Sequence, residues 1–291
     1  MCEAATFFLY LLVCLLIGAL LTYPLIQTGW IGHDPHRVLG RVVQLVALAS
    51  LWPFLRAMHL DNRGALGYRV PRRQFLGALW RGWLLGVAIL LPLALGILLL
   101  GIRVPDIAAE DWLPRLLEKA VTVLIGGLLI GLLEETFFRG ALYYGIRRSG
   151  GALRAIFWSA FLFALLHFMK PHALPEGTPF DWSGLWQMLG HVFAGVLQWK
   201  HLDSMAALFM VGIFLALVRE RTGHIGWCMG VHAGSVFTIQ MTRYLTEGVP
   251  ASPHAWLVGD YDGIMGWLAG AWLGLLALGS LVWEREKVRL G

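Results

Sequence analysis

Apolar stretches recur along the whole chain, and most of them are long enough to cross a lipid bilayer. About 20 apolar residues span the roughly 30 Å of hydrocarbon in a membrane. Of the 291 residues, 58% are hydrophobic and only 14% are charged, whereas about a quarter of the residues in a soluble domain are charged. The sequence therefore predicts an all-α, polytopic integral membrane helix bundle with about eight transmembrane helices in one domain, residues 1–291. The predicted spans are residues 5–27, 38–55, 75–101, 117–147, 152–169, 204–219, 223–242 and 263–283.

The distribution of Lys and Arg predicts the orientation of these spans. Of the 23 basic residues, 14 fall on one side of the eight-span pattern, 8 fall on the other, and Arg139 lies within a span. Because loops on the cytoplasmic side collect positive charge, we expect both termini in the cytoplasm. The first apolar stretch has neither a basic leading region nor a small-residue cleavage site, so we expect it to be a retained helix.

Net charge indicates which partners to expect, and the spacing of the cysteines indicates whether to expect disulfides or a zinc site. The net charge of +5 comes from short loops, a pattern typical of contact with anionic lipid headgroups rather than with nucleic acid. The three cysteines are far apart and lack CxxC spacing, which indicates neither a disulfide framework nor a structural zinc site. Membrane lipid is thus an expected partner, and nucleic acid is not.

The stretch LLEETFFRGAL, residues 132–142, places three charged residues within an apolar run. A charge at the bilayer centre costs roughly 2.5 to 3.5 kcal/mol on insertion scales. Glu135 and Arg139 are four residues apart with the acid first, which is the favourable order for a pair on one helical face. Glu134 points about 100° away from that face, so the sequence predicts a second carboxylate outside this pair.

Two histidines are predicted to lie at about the depth of Glu134. If the turn RRSGG at 147–151 marks the membrane surface, a rise of 1.5 Å per residue puts Glu134 and His167 both about 20 Å from it. His232 lies about 15 Å beyond the turn at ERTG. A single intramembrane histidine is often a structural hydrogen-bonding residue between helices, but two histidines level with a carboxylate favour a functional site.

These side chains suit hydrolysis within the membrane. Glu134 is placed to act as a general base on water. An imidazole can hold that water or donate to a developing oxyanion, and Glu134, His167 and His232 together could also hold a divalent metal such as zinc with one position open. Both the metal-free and the metal-assisted reaction remain open from the residues alone.

Three motifs on successive apolar helices resemble the CAAX prenyl protease and bacteriocin-processing family, also called the type II CAAX protease or ABI family. EETFFR at 134–139 matches EExxxR, FALLH at 163–167 matches FxxxH, and HAGSV at 232–236 occupies the place of HxxxN. The turn RTGHIG before the third motif is also similar to the family's pattern. The resemblance covers a catalytic core of about 117–241, leaving 1–101 as an N-terminal three-helix part and 263–283 as a final helix.

The resemblance implies a role for each matching residue. The residue matching Glu134 would activate water, and the one matching His167 would help to hold it. Glu135 and Arg139 would be supporting residues, and His232 would contribute to an oxyanion site. The sequence departs from the family at Val236, where the motif has Asn, and losing one oxyanion donor can cost about 100- to 1,000-fold in rate.

The expected function is that of an inner-membrane, multi-pass endopeptidase of the glutamic or metal-assisted type. Its substrate would be a membrane-associated peptide or a membrane-tethered protein tail. One alternative is a catalytically silent membrane scaffold or bacteriocin-immunity-type protein, which Val236 favours. A second alternative is a small proton-coupled transporter with a Glu/His relay, although no inverted repeat is evident in the sequence.

Overall fold

The structure is a computed structural model, which describes residues 3–106 and 112–290. Helices occur at all eight predicted positions, and the described strands are two of three residues each. The prediction of an all-α membrane helix bundle is therefore confirmed. The elements are α1 (Glu3–Gln27), α2 (Pro35–Ala57), α3 (Arg72–Leu99), β1 (Arg103–Pro105), α4 (Trp112–Glu135), a π-helical segment (Thr136–Leu142), α5 (Tyr143–Phe168), α6 (Trp182–Ala194), α7 (Leu202–Thr222), α8 (Gly226–Leu245), β2 (Thr246–Gly248) and α9 (Trp267–Leu290).

Five helical stretches in the described part of the chain are long and apolar enough to cross a membrane. The longest, Trp112–Phe168, covers two of the predicted spans. Its backbone leaves helical geometry at Gly151, where φ is 83° and ψ is 173°, a conformation that glycine adopts without steric cost. This break falls in the RRSGG turn predicted between those two spans. The five stretches are Glu3–Gln27, Pro35–Ala57, Arg72–Leu99, Trp112–Phe168 and Trp199–Thr222.

Residue contacts divide the chain into two compact units, Met1–Asp61 with Leu162–Trp199 and Asn62–Phe161 with Lys200–Gly291. The first unit contains α1, α2 and α6. Asp181 caps α6, because its carboxylate accepts a hydrogen bond of 2.8 Å from the backbone N–H of Gly184. The helix expected at 183–201 thus forms over Trp182–Ala194, and its location at the membrane interface stays a prediction. Its buried face packs into an apolar cluster formed by Leu15, Ala19, Leu39, Leu185, Met188, Leu189 and Val192.

The second unit is built around α8, which packs closely against α3. A methyl group on Gly82 of α3 would lie 2.7 Å from the carbonyl oxygen of Trp227. A methyl group on Gly230 of α8 would lie 2.7 Å from the backbone nitrogen of Trp83. Small residues allow such a close approach of two membrane helices, so these glycines determine how near α8 lies to α3.

A short antiparallel sheet closes the end of α8 that leads to β2. Val104 of β1 lies opposite Glu247 of β2. The buried guanidinium of Arg103 donates from Nε to the Thr246 hydroxyl at 2.7 Å and from Nη2 to the Thr246 carbonyl oxygen at 2.6 Å. In the following loop, the Asp262 carboxylate accepts from two backbone N–H groups at 2.7 and 2.9 Å. This end of α8 is therefore fixed by polar contacts outside the apolar spans.

Candidate active site

The helix that carries the acidic motif changes its winding directly after the two glutamates. Glu134 and Glu135 end α4, and the next seven residues, Thr136–Leu142, form the π-helical segment. The apolar pattern predicts one span over 117–147, and its composition gives no sign of this change of winding. π-Helical turns are rare and are found frequently at functional sites.

Glu135 and Arg139 form the ion pair that their spacing predicted. Arg139 Nη1 donates to Glu135 Oε1 at 3.0 Å, and both side chains are fully buried. Arg139 Nη2 also donates to the Gly212 carbonyl oxygen of α7 at 3.3 Å. A buried pair is tolerated when further hydrogen bonds satisfy its polar atoms, and the contact with Gly212 contributes one of these bonds.

His232 of α8 joins this pair through the same carboxylate oxygen. Its Nδ1 lies 2.8 Å from Glu135 Oε1. Because a carboxylate that is ion-paired with arginine only accepts hydrogen bonds, Nδ1 carries the proton and donates it. This bond fixes the orientation of the ring, so that Nε2 lies 3.9 Å from Glu134 Oε2. The structure thus brings together Glu134, Glu135, Arg139 and His232, four of the five predicted site residues.

Exposure distinguishes Glu134 from the rest of this group. Its side chain is 31% exposed, whereas that of His232 is 8% exposed and those of Glu135 and Arg139 are fully buried. Glu134 is therefore the most accessible side chain of the four, although its Oε2, which faces His232, is itself buried. The side chains of Glu135, Arg139 and His232 are more deeply buried than that of Glu134.

A stripe of small residues on α4 places Glu135 against α8. Gly127, Gly131 and Glu135 follow at intervals of four residues and so lie on one face of α4. A methyl group on Gly131 would lie 3.1 Å from the Met229 carbonyl oxygen, and one on Gly127 would lie 3.2 Å from the Ala233 carbonyl oxygen. Since the two backbones approach this closely, Glu135 at the end of the stripe reaches the ring of His232.

His167, the fifth predicted site residue, belongs to the other compact unit. Its Nδ1 lies 2.7 Å from the Phe163 carbonyl oxygen one turn earlier in α5. A carbonyl oxygen only accepts, so Nδ1 carries a proton and Nε2 of the neutral ring is an acceptor. Such a nitrogen suits a water molecule or a metal ion. The convergence of His167 with Glu134 and His232 stays a prediction.

Val236 lies on α8 one turn after His232 and faces α4. Its Cγ1 would be 3.7 Å from a methyl group placed on Gly127. An apolar side chain at this position packs against α4 and offers no hydrogen-bond donor. The departure from the family's asparagine is thus accommodated by helix packing.

Two residues near this group were not identified from the sequence. Arg219 in the last turn of α7 donates from Nε to the Arg139 carbonyl oxygen at 2.9 Å. Tyr68, in the loop before α3, has its hydroxyl 2.6 Å from that of Thr136, and burial is the main cause that raises the pKa of this phenol. Nothing in the local sequence of Arg219 or of Tyr68 indicates these distant contacts.

The described residues do not form a complete metal site. Over 3–106 and 112–290, no group of three or more His, Cys, Asp or Glu side chains is arranged to hold a metal ion. Glu134 and His232 alone supply two of the three ligands that the metal-assisted alternative requires.

One family model matches the part of the chain that carries this group. Residues 116–238 match the model described as "Rce1-like: Type II CAAX prenyl endopeptidase Rce1-like". The resemblance to the type II CAAX protease family is confirmed over these residues. The match contains all five predicted site residues. The expected core, about 117–241, extends three residues beyond the matched range, and its boundaries stay a prediction. The comparisons with curated proteins and with solved structures gave no match.

Proposed function

We propose that this protein is an intramembrane endopeptidase in which Glu134 activates the attacking water. The observation that carries the proposal is the position of Glu134, partly exposed and 3.9 Å from His232, in front of the fully buried Glu135–Arg139 pair. The Rce1-like match over 116–238 supports an endopeptidase rather than another use of buried charge. The protein would be a multi-pass protein of the inner membrane.

In this mechanism Glu134 takes a proton from water as the oxygen attacks the carbonyl carbon of the scissile peptide bond. The same carboxyl group then returns the proton to the leaving nitrogen. His232 serves the oxyanion: in its protonated form both ring nitrogens donate, and Nδ1 is already bound to Glu135. Nε2–H is then the donor directed towards the reacting carbonyl oxygen.

The charges of the four residues are consistent with this assignment. Glu135 is neutralised by Arg139 at 3.0 Å, so a protonated His232 balances an ionised Glu134 and the group has no net charge. Neutrality matters because an isolated charge in a low-dielectric region is costly. After Glu134 takes a proton from water, the developing negative charge resides on the substrate oxygen, near the imidazolium.

The role proposed for His167 follows from its tautomer. Because Nδ1 donates to the Phe163 carbonyl, Nε2 of the neutral ring accepts a hydrogen bond, for example from the attacking water. This would align a lone pair of the water oxygen on the substrate while Glu134 removes the other proton. The substrate would be a membrane-associated peptide or a membrane-tethered protein tail, as the family's name indicates for its members.

A test compares cleavage of a peptide library by the purified wild type, Glu134→Gln, His167→Ala and Glu118→Gln. Glu118 is an exposed acid on the same helix as Glu134, which makes it a matched control. We expect Glu134→Gln to lose about 100- to 10,000-fold in rate, the usual contribution of a general base, and Glu118→Gln to retain the wild-type rate. Equal cleavage by all four proteins, or none by the wild type, would overturn the proposal. Loss of activity on chelation would select the metal-assisted reaction.

A catalytically silent scaffold is the second candidate, and one observation favours it. The Glu135–Arg139–His232 network links α4, the π segment, α7 and α8 whether or not a reaction takes place. The apolar Val236 leaves the third motif without its amide. A scaffold would tolerate Glu134→Gln without loss of any cellular phenotype, because that substitution leaves the buried network intact.

A further inference from the structure

Arg219 is a buried arginine at the end of a helix, where arginine side chains usually extend into solvent. It lies in the last turn of α7 and is only 6% exposed. Its Nε donates to the Arg139 carbonyl oxygen, within the π segment, at 2.9 Å. A buried guanidinium bound to a backbone carbonyl at this point requires an explanation.

The winding of the π segment changes the hydrogen bonding around that carbonyl. In an α-helix the Arg139 carbonyl would accept from the N–H of Tyr143, four residues later. Here the Tyr143 N–H bonds to the carbonyls of Phe138 and Gly140. Arg219 adds a charge-assisted hydrogen bond from a different helix to the Arg139 carbonyl.

The neighbouring residue holds the turn that follows. Glu220 accepts a hydrogen bond from the Tyr143 hydroxyl and forms a salt bridge of 3.0 Å with Arg147 Nη2. Two consecutive residues of α7 therefore hold the π segment and the start of α5. Space for Arg219 is provided by Gly67, where a methyl group would lie 3.3 Å from the guanidinium carbon.

We propose that Arg219 is a positioning residue of the candidate active site. Through its hydrogen bond to the Arg139 carbonyl it maintains the π turn, and the π turn places the guanidinium of Arg139. That guanidinium in turn holds Glu135 and, through Glu135, the ring of His232. The effect on the protein's conformation stands by itself, whereas the effect on cleavage rests on the proposed function.

The test uses the full-length protein with Arg219→Met, Arg219→Lys and the control Arg221→Met. Arg221 occupies the same last turn of α7 but is exposed and bonds to the Ser280 carbonyl. Three quantities are measured in detergent micelles: hydrogen exchange of the amides in 136–143, the ¹⁵N resonances of the His232 ring, and kcat, KM and the pH profile of cleavage.

We expect Arg219→Met to speed amide exchange in 136–143 by about ten-fold or more, the factor carried by one lost hydrogen bond to a charged group. The His232 ring resonances should shift, and kcat should fall with KM little changed and with a displaced pH profile. Arg219→Lys should lie between Arg219→Met and the wild type, because lysine donates to a carbonyl but lacks the planar guanidinium. Arg221→Met should match the wild type in all three measurements.

Unchanged exchange and unchanged His232 resonances in both Arg219 variants would overturn the proposal, as would equal changes in Arg221→Met. If Arg219→Met does not fold, the same two readings on Arg219→Lys decide the matter. If the wild type cleaves nothing, the proposed function fails, while the exchange and resonance measurements still test the positioning role.

Discussion

Of the buried arginines in the second unit, Arg139 lies near the start of α8 and Arg103 near its other end, and these two are stabilised differently. Near the start of the helix, Arg139 is paired with the carboxylate of Glu135, which also binds His232. At the other end, Arg103 donates to the hydroxyl and the carbonyl of Thr246. About 20 Å of helix separates His232 from Thr246, so the two arginines form independent polar groups.

The comparison shows that a buried arginine in this fold does not always have a carboxylate as its hydrogen-bond partner. The buried side chain of Arg103 donates hydrogen bonds to neutral acceptors alone. Burial is the main cause that lowers the pKa of Arg103; repulsion by Arg243 lowers it further, and the charge of Asp262 raises it. Arg139 bonds to one carboxylate and to the Gly212 carbonyl. This ion pair therefore does not account for a second acid at this end, which supports the catalytic use that we propose for Glu134.

The largest effect on this comparison should come from Glu135→Gln. Arg139 would remain fully buried without its counter-charge, and removing one partner of a buried ion pair costs about 3 to 5 kcal/mol. Denaturant unfolding in detergent measures this as a lower free energy of unfolding. The double variant Glu135→Gln/Arg139→Met should be less destabilised than the sum of its single variants, since no charge is left unpaired. Strict additivity would show that the two side chains do not act as a pair.

Arg103→Met should have an intermediate effect and should not change cleavage. It removes two hydrogen bonds but also the cost of burying the guanidinium, and it leaves Thr246 acceptors that require no counter-charge. Thr246→Val, which removes only the hydroxyl, should cost less than Arg103→Met in the same unfolding experiment. A fall in kcat for Arg103→Met as large as that for Glu135→Gln would contradict the independence of the two ends.

Local spacing allowed part of the site to be predicted. The Glu135–Arg139 pair follows from the interval of four residues, which survives the π winding at 3.0 Å. Counting residues from the turns placed His232 near the glutamates, but depth does not fix the rotation of a helix. Residue counting therefore does not predict the contact of 2.8 Å between His232 Nδ1 and Glu135 Oε1.

The remaining features depend on contacts between distant parts of the chain. The π segment has no signature in its composition, because its backbone is held by Arg219, 80 residues further along the chain. Arg103 and Thr246 are 143 residues apart, and their contact arises only when β1 pairs with β2. The helices themselves were predictable, since apolar runs long enough for a bilayer leave few other folds.

The smallest effect should come from Asp262→Asn, at the Arg103 end. Burial is the main cause that raises the pKa of Asp262 above its ordinary value of 3.8; hydrogen bonds from Met265 and Ile264 and the charges of Arg243 and Arg103 oppose this without cancelling it. A raised pKa in the folded state means that the carboxyl contributes stability below pH 3.8, which is lost as the pH rises through the raised value. The amide oxygen of the variant still accepts from both backbone N–H groups.

The free energy of unfolding of the wild type should therefore fall relative to that of Asp262→Asn as the pH rises from below 3.8 towards neutrality. Unfolding midpoints at a series of pH values measure this difference, and Asp260→Asn, an exposed acid two residues away, serves as the control. The opposite sign, with the variant less stable than the wild type at neutral pH, would mean that the Asp262 carboxylate is needed as a counter-charge to Arg103. Both ends of α8 would then use ion pairs, and the difference that supports a separate role for Glu134 would disappear.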